Sequence, residues 1–129
     1  MNIPGRTFLT GESFYTDWMP RNGDDAIFRA QLTALQGSVD TTIKIYTKNR
    51  EDTTNGEVVQ DSTPTDYDFG FDSGASAGDT SQVIVQSVNT ANRGLKELVR
   101  FKIDVQGDPG DYHTIRIFPP VWMDRGITT

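Results

Sequence analysis

The amino-acid sequence predicts an all-β protein: an antiparallel β-sandwich or jelly-roll-like single domain with an extended N-terminal arm. Three observations support this prediction. Apolar and polar residues alternate in several segments of strand length, short Gly/Asp/Asn/Pro turns separate these segments, and no segment of ordinary helix length shows a helical period. The chain of 129 residues is the usual size of one domain, and roughly seven or eight strands of ordinary length fit it.

The first clear strands lie between residues 28 and 47. In the segment 28–34 the apolar residues occupy the even positions, and in the segment 39–47 the odd positions carry Val39, Thr41, Ile43 and Ile45. Residues two apart in a strand point to the same face, so each segment is predicted to bury one face. Gly37-Ser38 supplies the turn between them.

Three more strands are predicted later in the chain. The segment Gln82–Val88 is β-branched, Leu98–Gln106 has apolar residues at every odd position from 99 to 105, and His113–Phe118 ends at two prolines. The residues Gly107–Asp111 have the composition of a short hairpin loop. The segment Phe8–Trp18 has room for one or two further strands, with Phe14 and Trp18 as core candidates.

The predicted domain boundaries follow from composition. Residues 1–10 are interpreted as the extended arm, 11–123 as the sandwich and 124–129 as a polar tail. Within the sandwich, residues 49–80 are rich in Asp, Thr, Ser and Gly. This composition predicts a long acidic loop excursion with one or two short strands, and long loops are usually functional or mobile.

Charge and cysteine content exclude several classes of function. The net charge is −6 and there is no Cys, so disulfides and thiolate chemistry are excluded. Direct nucleic-acid binding and an anionic membrane surface are disfavoured, because both require a cationic protein surface. The N-terminus has no apolar segment typical of a signal peptide, and no stretch is long enough to span a membrane. These features lead us to expect a soluble protein that is not secreted by the classical route.

Residue types that could support catalysis are few. His113 is the single His, and we interpret it as a half-exposed strand residue rather than a catalytic base, because no nucleophile motif accompanies it. A pair of carboxylates could hydrolyse glycosides if one lay in an apolar pocket, and Asp17 beside Trp18 and Asp124 near Trp122 are the candidates. Core or interface packing of both Trp residues is the favoured interpretation, so the chain is not expected to be an enzyme.

Two binding hypotheses remain open, although no cofactor is expected. Several carboxylates in the excursion could hold a structural calcium, but no twelve-residue calcium loop is present; they are Asp61, Asp66, Asp68, Asp72 and Asp79. Exposed aromatic rings could instead form a sugar-binding platform. The candidates for that platform are Tyr15, Trp18, Tyr46, Tyr67, Tyr112 and Trp122.

Two stretches carry a more specific resemblance. One is Ile3-Pro4-Gly5-Arg6-Thr7-Phe8-Leu9-Thr10-Gly11-Glu12-Ser13-Phe14-Tyr15-Thr16-Asp17-Trp18. The other is Val99-Arg100-Phe101-Lys102-Ile103 followed by Thr114-Ile115-Arg116-Ile117-Phe118-Pro119-Pro120-Val121-Trp122. Together they resemble small β-sandwich virion proteins of tailed bacteriophages, of the capsid decoration (cement) type.

The resemblance implies a non-enzymatic role on the virion. The protein would be made in the host cytoplasm, bind the outer surface of the capsid and stabilise the shell, with the major capsid protein and copies of itself as partners in a homo-oligomer. The residue types that commonly anchor interfaces are Arg6, Phe8, Trp18, Arg21 and Trp122. The alternative is a carbohydrate-binding or receptor-binding β-sandwich module of a phage tail.

Overall fold

The alternating segments form the long strands of a sandwich of two antiparallel sheets. The computed structural model describes residues 3–87 and 94–124. Its strands are β1 (Ile3–Leu9), β2 (Ser13–Tyr15), β3 (Met19–Pro20), β4 (Asp25–Gln36), β5 (Val39–Lys48), β6 (Glu57–Val58), β7 (Asp68–Phe71), β8 (Thr80–Val85), β9 (Leu98–Gly107), β10 (Tyr112–Ile117) and β11 (Val121–Met123).

The first sheet, called sheet A, is built around β4. Strands β10 and β11 pair with successive parts of one edge of β4, and β8 pairs with its other edge. Strand β1 pairs with the far edge of β10. Strands β10 and β11 lie end to end along β4 and count as one strand position. Sheet A therefore has four strand positions, in the order β1, β10/β11, β4 and β8.

The second sheet, called sheet B, is built around the central pair β5 and β9, which are in register from Val39↔Gly107 to Lys48↔Leu98. Strands β2 and β3 extend the outer edge of β9, and β7 and β6 extend the outer edge of β5. Sheet B therefore also has four positions. The eight positions of the sandwich agree with the predicted strand number, although short breaks divide them into eleven segments.

The core lies between the sheets and follows the predicted alternation. Phe28 of β4 meets Phe101 of β9 edge to face, with ring centroids 5.3 Å apart, so one aromatic contact joins the two sheets directly. Both rings are fully buried. The other predicted inward residues of the long strands are also buried, except Ala34, which is only partly buried beside a register shift in β10. The buried ones include Ala30, Leu32, Val39, Thr41, Ile43, Ile45, Val99, Ile103, Val105, Ile115 and Ile117.

The N-terminal segment is extended, as predicted, but it is a strand of the sandwich rather than an arm. From Arg6 to Leu9 it pairs continuously with β10, and the register shifts between Ile3 and Arg6. Phe8 is fully buried. The sandwich therefore begins with β1, because burial of this side chain and pairing with β10 fix the segment onto sheet A.

The acidic excursion holds two short strands, in agreement with the prediction. Strands β6 and β7 both add to β5, and a bridge between Gln60 and Asp66 closes the turn that joins them. In that turn the Asp61 carboxylate accepts backbone N–H bonds from Thr63 and Thr65, at 2.9 and 3.0 Å. The Thr63 hydroxyl also donates to this carboxylate, and its bond contributes most to lowering the pKa of Asp61. The two backbone bonds lower the pKa further. The acidic composition therefore serves local turn structure here. Of the predicted tail, only Asp124 lies within the described residues.

Candidate functional site: the outer faces of the two sheets

An exposed apolar surface lies on the outer face of sheet A. Ile27 follows the buried Ala26 and precedes the buried Phe28, so its side chain points outward. Its direct partners are Ile84 on β8 and Val121 on β11, and Met123 lies two residues beyond Val121. Ile84, Val121 and Met123 keep 45, 42 and 37% of their surface exposed. We call Ile27, Ile84, Val121 and Met123 the apolar row.

Two arginines border the apolar row. Arg29, two residues after Ile27, lies 5.1 Å from the centre of the Phe118 ring, and Arg116 lies 4.7 Å from the same ring. Within the described residues neither guanidinium forms an ion pair with a carboxylate. This end of sheet A therefore presents neighbouring apolar side chains with positive charge beside them, a composition typical of a contact surface.

The opposite outer face, on sheet B, carries a second group of side chains. The Arg100 guanidinium lies 4.1 Å from the ring centre of Tyr15 and 4.3 Å from the ring of Trp18. Tyr46 meets Tyr15 edge to face at 5.6 Å, and the Lys48 ammonium lies 5.1 Å from Trp18. We call Tyr15, Trp18, Tyr46, Lys48 and Arg100 the cation–aromatic cluster.

Strand pairing and the hydrogen bonds of Thr16 hold the side chains of the cation–aromatic cluster in place. Tyr46 of β5 is the direct partner of Arg100 on β9, and cross-strand partners share one face of a sheet. Thr16, between β2 and β3, exchanges two hydrogen bonds with the backbone of Phe101: its N–H donates to the carbonyl at 3.0 Å and its hydroxyl accepts the N–H at 2.9 Å. These bonds hold the short connection that carries Trp18 against β9.

The loop from β5 to β6 completes the surroundings of Trp18. Gly56 has a φ of +84°, and a Cβ at this position would lie 2.6 Å from the Trp18 ring. A side chain at residue 56 would therefore be strained and would displace the indole. The Asn55-Gly56 dipeptide, typical of hairpins, thus also shapes the edge of the cluster.

Arg100 is held tightly and keeps donors in excess. One of its terminal nitrogens donates to the Asn55 carbonyl at 3.0 Å, while its Nε is buried with no acceptor among the described residues. No described carboxylate lies within ion-pair distance of it. Burial, with Tyr15 as a smaller contributor, raises the pKa of the Tyr46 hydroxyl, so this hydroxyl stays neutral.

The predicted interface residues do not form one surface. Phe8 has no exposed surface, so its assignment to an interface is wrong for this fold. Trp122 alternates with the outward Val121 and Met123, and packs against the core, with its ring 5.9 Å from that of Phe28. Phe8 and Trp122 therefore stabilise the core of this fold.

The other three predicted interface residues make different contacts. Arg6 is exposed and covers the Phe14 ring at 3.9 Å, and Arg21 is exposed and donates to the Leu95 carbonyl at 2.7 Å. Only Trp18 belongs to one of the two surfaces described above.

The apolar row was missed by sequence reasoning, although a signal for it exists. Ile27 occurs in the polar phase of β4, with Arg29 and Gln31, and Ile84 occurs in the polar phase of β8, with Gln82. A large apolar residue in the outward phase of a half-buried strand marks an exposed hydrophobic position.

Three of the six candidate platform aromatics come together, namely Tyr15, Trp18 and Tyr46. Tyr67 and Trp122 pack against the core, and Tyr112 lies on sheet A beside Leu9. The guanidinium of Arg100 covers one face of Tyr15 and of Trp18. Stacking of a sugar on those faces would require Arg100 to move.

The acidic candidates do not form a site. Among the residues that the structure describes, no group of three or more His, Asp and Glu side chains is placed to hold a metal ion. Asp66 is paired with Lys44 at 2.9 Å. Asp72 and Asp79 each accept a nearby backbone N–H at 2.9 Å. Asp17 and Asp124 are exposed, so neither has the apolar pocket that a glycosidase acid requires.

His113 lies in the core, which corrects the prediction of a half-exposed residue. It is fully buried, its Nδ1 is 2.8 Å from the Thr41 hydroxyl, and its Nε2 has no partner among the described residues. Burial lowers its pKa, and the charge of Asp40 opposes that shift. The sequence contained the signal, because His113 is in phase with the buried Ile115 and Ile117.

No protein-family model, no curated protein and no solved structure matches this chain. Within the described residues, no helix is long and apolar enough to cross a membrane.

Proposed function

We propose that this protein is a non-enzymatic structural protein of a tailed-phage virion that binds the outer surface of the capsid and stabilises it. The observation that carries the binding role is the apolar row. Its members lie on three adjacent strands, and three of the five large hydrophobic residues that stay exposed among the described residues, Ile84, Val121 and Met123, belong to it. The capsid as the binding partner comes from the sequence resemblance in residues 3–18, 99–103 and 114–122.

Elementary energetics support a contact role for this face. Covering a large aliphatic side chain contributes on the order of 1.5–3 kcal/mol when its burial is complete. Ile84, Val121 and Met123 keep 45, 42 and 37% of their surface exposed, so each has roughly 40% of that contribution still to gain from a partner. Arg29 and Arg116 add positive charge that an acidic shell surface or an acidic second copy of the chain would complement.

A rigid sandwich suits reinforcement of a shell. Both sheets are paired along their lengths, and the surface is formed by strands rather than by loops. A binding surface on strands needs little ordering when the partner arrives, which reduces the entropy cost of association. Several copies bound side by side would contact one another, so we include the protein itself among its partners.

The test is co-sedimentation of the purified protein with undecorated, expanded capsids of the parent phage on a density gradient. We expect saturable binding at a fixed stoichiometry, and loss of binding in the double variant Ile84→Asp, Val121→Asp. Thr53→Asp is the control for added negative charge at an exposed position in the loop after β5, and its charge-matched counterparts are the single variants Ile84→Asp and Val121→Asp. Thermal melts of all variants establish that each is folded.

Three outcomes decide the proposal. Binding by the wild type and Thr53→Asp but not by the double variant supports it. Equal binding by all three proteins would show that the apolar row is not the contact surface. Absence of wild-type binding would remove the capsid role and favour the tail module that binds a carbohydrate or receptor, for which the grouping of Tyr15, Trp18 and Tyr46 is the supporting observation.

A further inference from the structure

The cation–aromatic cluster lies on the outer face of sheet B, so it is on the side of the sandwich opposite the apolar row. We propose that this cluster is a second binding site, and that it takes a carboxylate side chain of an acidic polypeptide segment, with the Arg100 guanidinium as the principal donor. The proposal is independent of capsid attachment, because the two surfaces share no residue.

Arg100 is held in place before any ligand binds. A free arginine loses rotamer entropy when it binds, but this guanidinium is already stacked at 4.1 and 4.3 Å from two rings and anchored to the Asn55 carbonyl. The Nε–H is buried, but a planar guanidinium held in this way presents the remaining N–H groups of its two terminal nitrogens in a fixed fork, which matches the two oxygens of a carboxylate. Arg100 therefore loses little side-chain entropy when a ligand binds.

The charge around the cluster favours an anionic ligand. The chain carries six more acidic than basic residues, yet all four of its lysines lie on or beside this face. Lys44, Lys96 and Lys102 have carboxylate neighbours at 2.9, 2.9 and 3.7 Å. Arg100 and Lys48 have none among the described residues, and the Lys48 ammonium donates to a backbone carbonyl instead. The cluster thus holds the two local cations that lack a counter-charge.

The surroundings of Arg100 favour an acidic polypeptide over a sugar or a nucleic acid. A neutral sugar would stack on ring faces, but Arg100 occupies one face of Tyr15 and of Trp18. A nucleic acid would carry a continuous row of phosphates past Glu57, Asp66 and Asp104, whose charges repel it. A short acidic segment needs to place only one or two carboxylates at the cluster. Arg, Trp and Tyr are also the residue types that dominate protein–protein binding energy.

The experiment is a fluorescence anisotropy titration of a labelled Glu-rich peptide with the purified protein at low ionic strength. The same peptide with Gln in place of Glu, an oligogalacturonate and a single-stranded oligodeoxynucleotide are the comparison ligands. We expect binding of the Glu peptide that weakens with added salt, and no measurable binding of the Gln peptide.

Variants test the site itself. Arg100→Gln is expected to weaken Glu-peptide binding about tenfold or more, because a charge-assisted bidentate contact is lost. Arg100→Lys keeps the charge but loses the fork, and is expected to weaken binding by a smaller factor. Arg6→Gln is the matched control, since it removes an equally charged arginine that also lies over an aromatic ring but belongs to neither binding surface. This control is expected to bind within about twofold of wild type.

The outcomes separate this proposal from the capsid role. Arg100→Gln should sediment with capsids as the wild type does, so failure at one surface leaves the other intact. Absence of Glu-peptide binding by the wild type overturns the proposal, and so does an equal loss in Arg6→Gln. Tighter binding of the oligogalacturonate or the oligonucleotide overturns the assignment to a polypeptide. If Arg100→Gln proves unstable in a thermal melt, the Arg100→Lys and Lys48→Gln variants decide the question by the same titration.

Discussion

Replacing Phe8 by alanine tests whether the N-terminal segment is a strand of the sandwich. The Phe8 ring is fully buried and lies 5.8 Å from the ring of Phe14, and its residue pairs with His113 on β10. Truncation removes buried apolar surface and leaves a cavity between the two sheets. Substitutions of this kind cost about 3–5 kcal/mol of unfolding free energy.

The assay is equilibrium unfolding in urea followed by tryptophan fluorescence. With a slope of about 1.5 kcal/mol per molar urea, a loss of about 4 kcal/mol lowers the midpoint by about 2.7 M. Leu9→Ala is the control on the adjacent residue, because Leu9 is 48% exposed. We expect this control to cost less than about 1 kcal/mol, as surface substitutions usually do.

If Phe8→Ala lowers the free energy of unfolding no more than Leu9→Ala does, β1 is not packed into the sandwich. A segment that projects from the domain as an arm would give that result, since truncating an exposed side chain changes stability by about 0.5 kcal/mol or less. A large loss for Phe8→Ala and a small one for Leu9→Ala would establish both the burial and the side-chain phase of β1.

Three further predictions concern the core. In a double-mutant cycle of Phe28→Leu and Phe101→Leu, urea unfolding should give a coupling of about 0.5–1.5 kcal/mol; strict additivity would mean that the rings do not touch. Thr47→Val should cost about 1–3 kcal/mol in the same assay, because the buried hydroxyl accepts one backbone N–H and donates to one carbonyl. A cost near zero would contradict those bonds. The folded-state pKa of His113 lies below 6.5, so the unfolded state takes up a proton first as the pH falls below about 6.5. Stability should therefore decline from that pH down to the folded-state pKa, and His113→Gln should remove this decline in thermal melts across pH; an unchanged pH dependence in the variant would refute the assignment.

The alternation of apolar residues was sufficient to predict the long strands and the residues they bury. The inward residues of β4, β5, β9 and β10 follow from a two-residue period, because that period reports the face on which each side chain lies. The same period also places His113 on the inward face, because it lies two residues before the buried Ile115. The all-β class and the turn positions likewise follow from local sequence.

Tertiary structure decided which of the outward-facing residues meet. Phe8 is buried only because β1 pairs with a strand about a hundred residues away, and nothing in residues 1–10 encodes that distance. Ile27, Ile84 and Val121 become neighbours because β8 and β11 flank β4 on its two edges. Arg100 lies between Tyr15 and Trp18 because β2 and β3 add to β9. The sequence by itself determined which face each strand buries, since that property is local. Strand order is a property of the whole chain, and it decided where the two candidate binding surfaces lie.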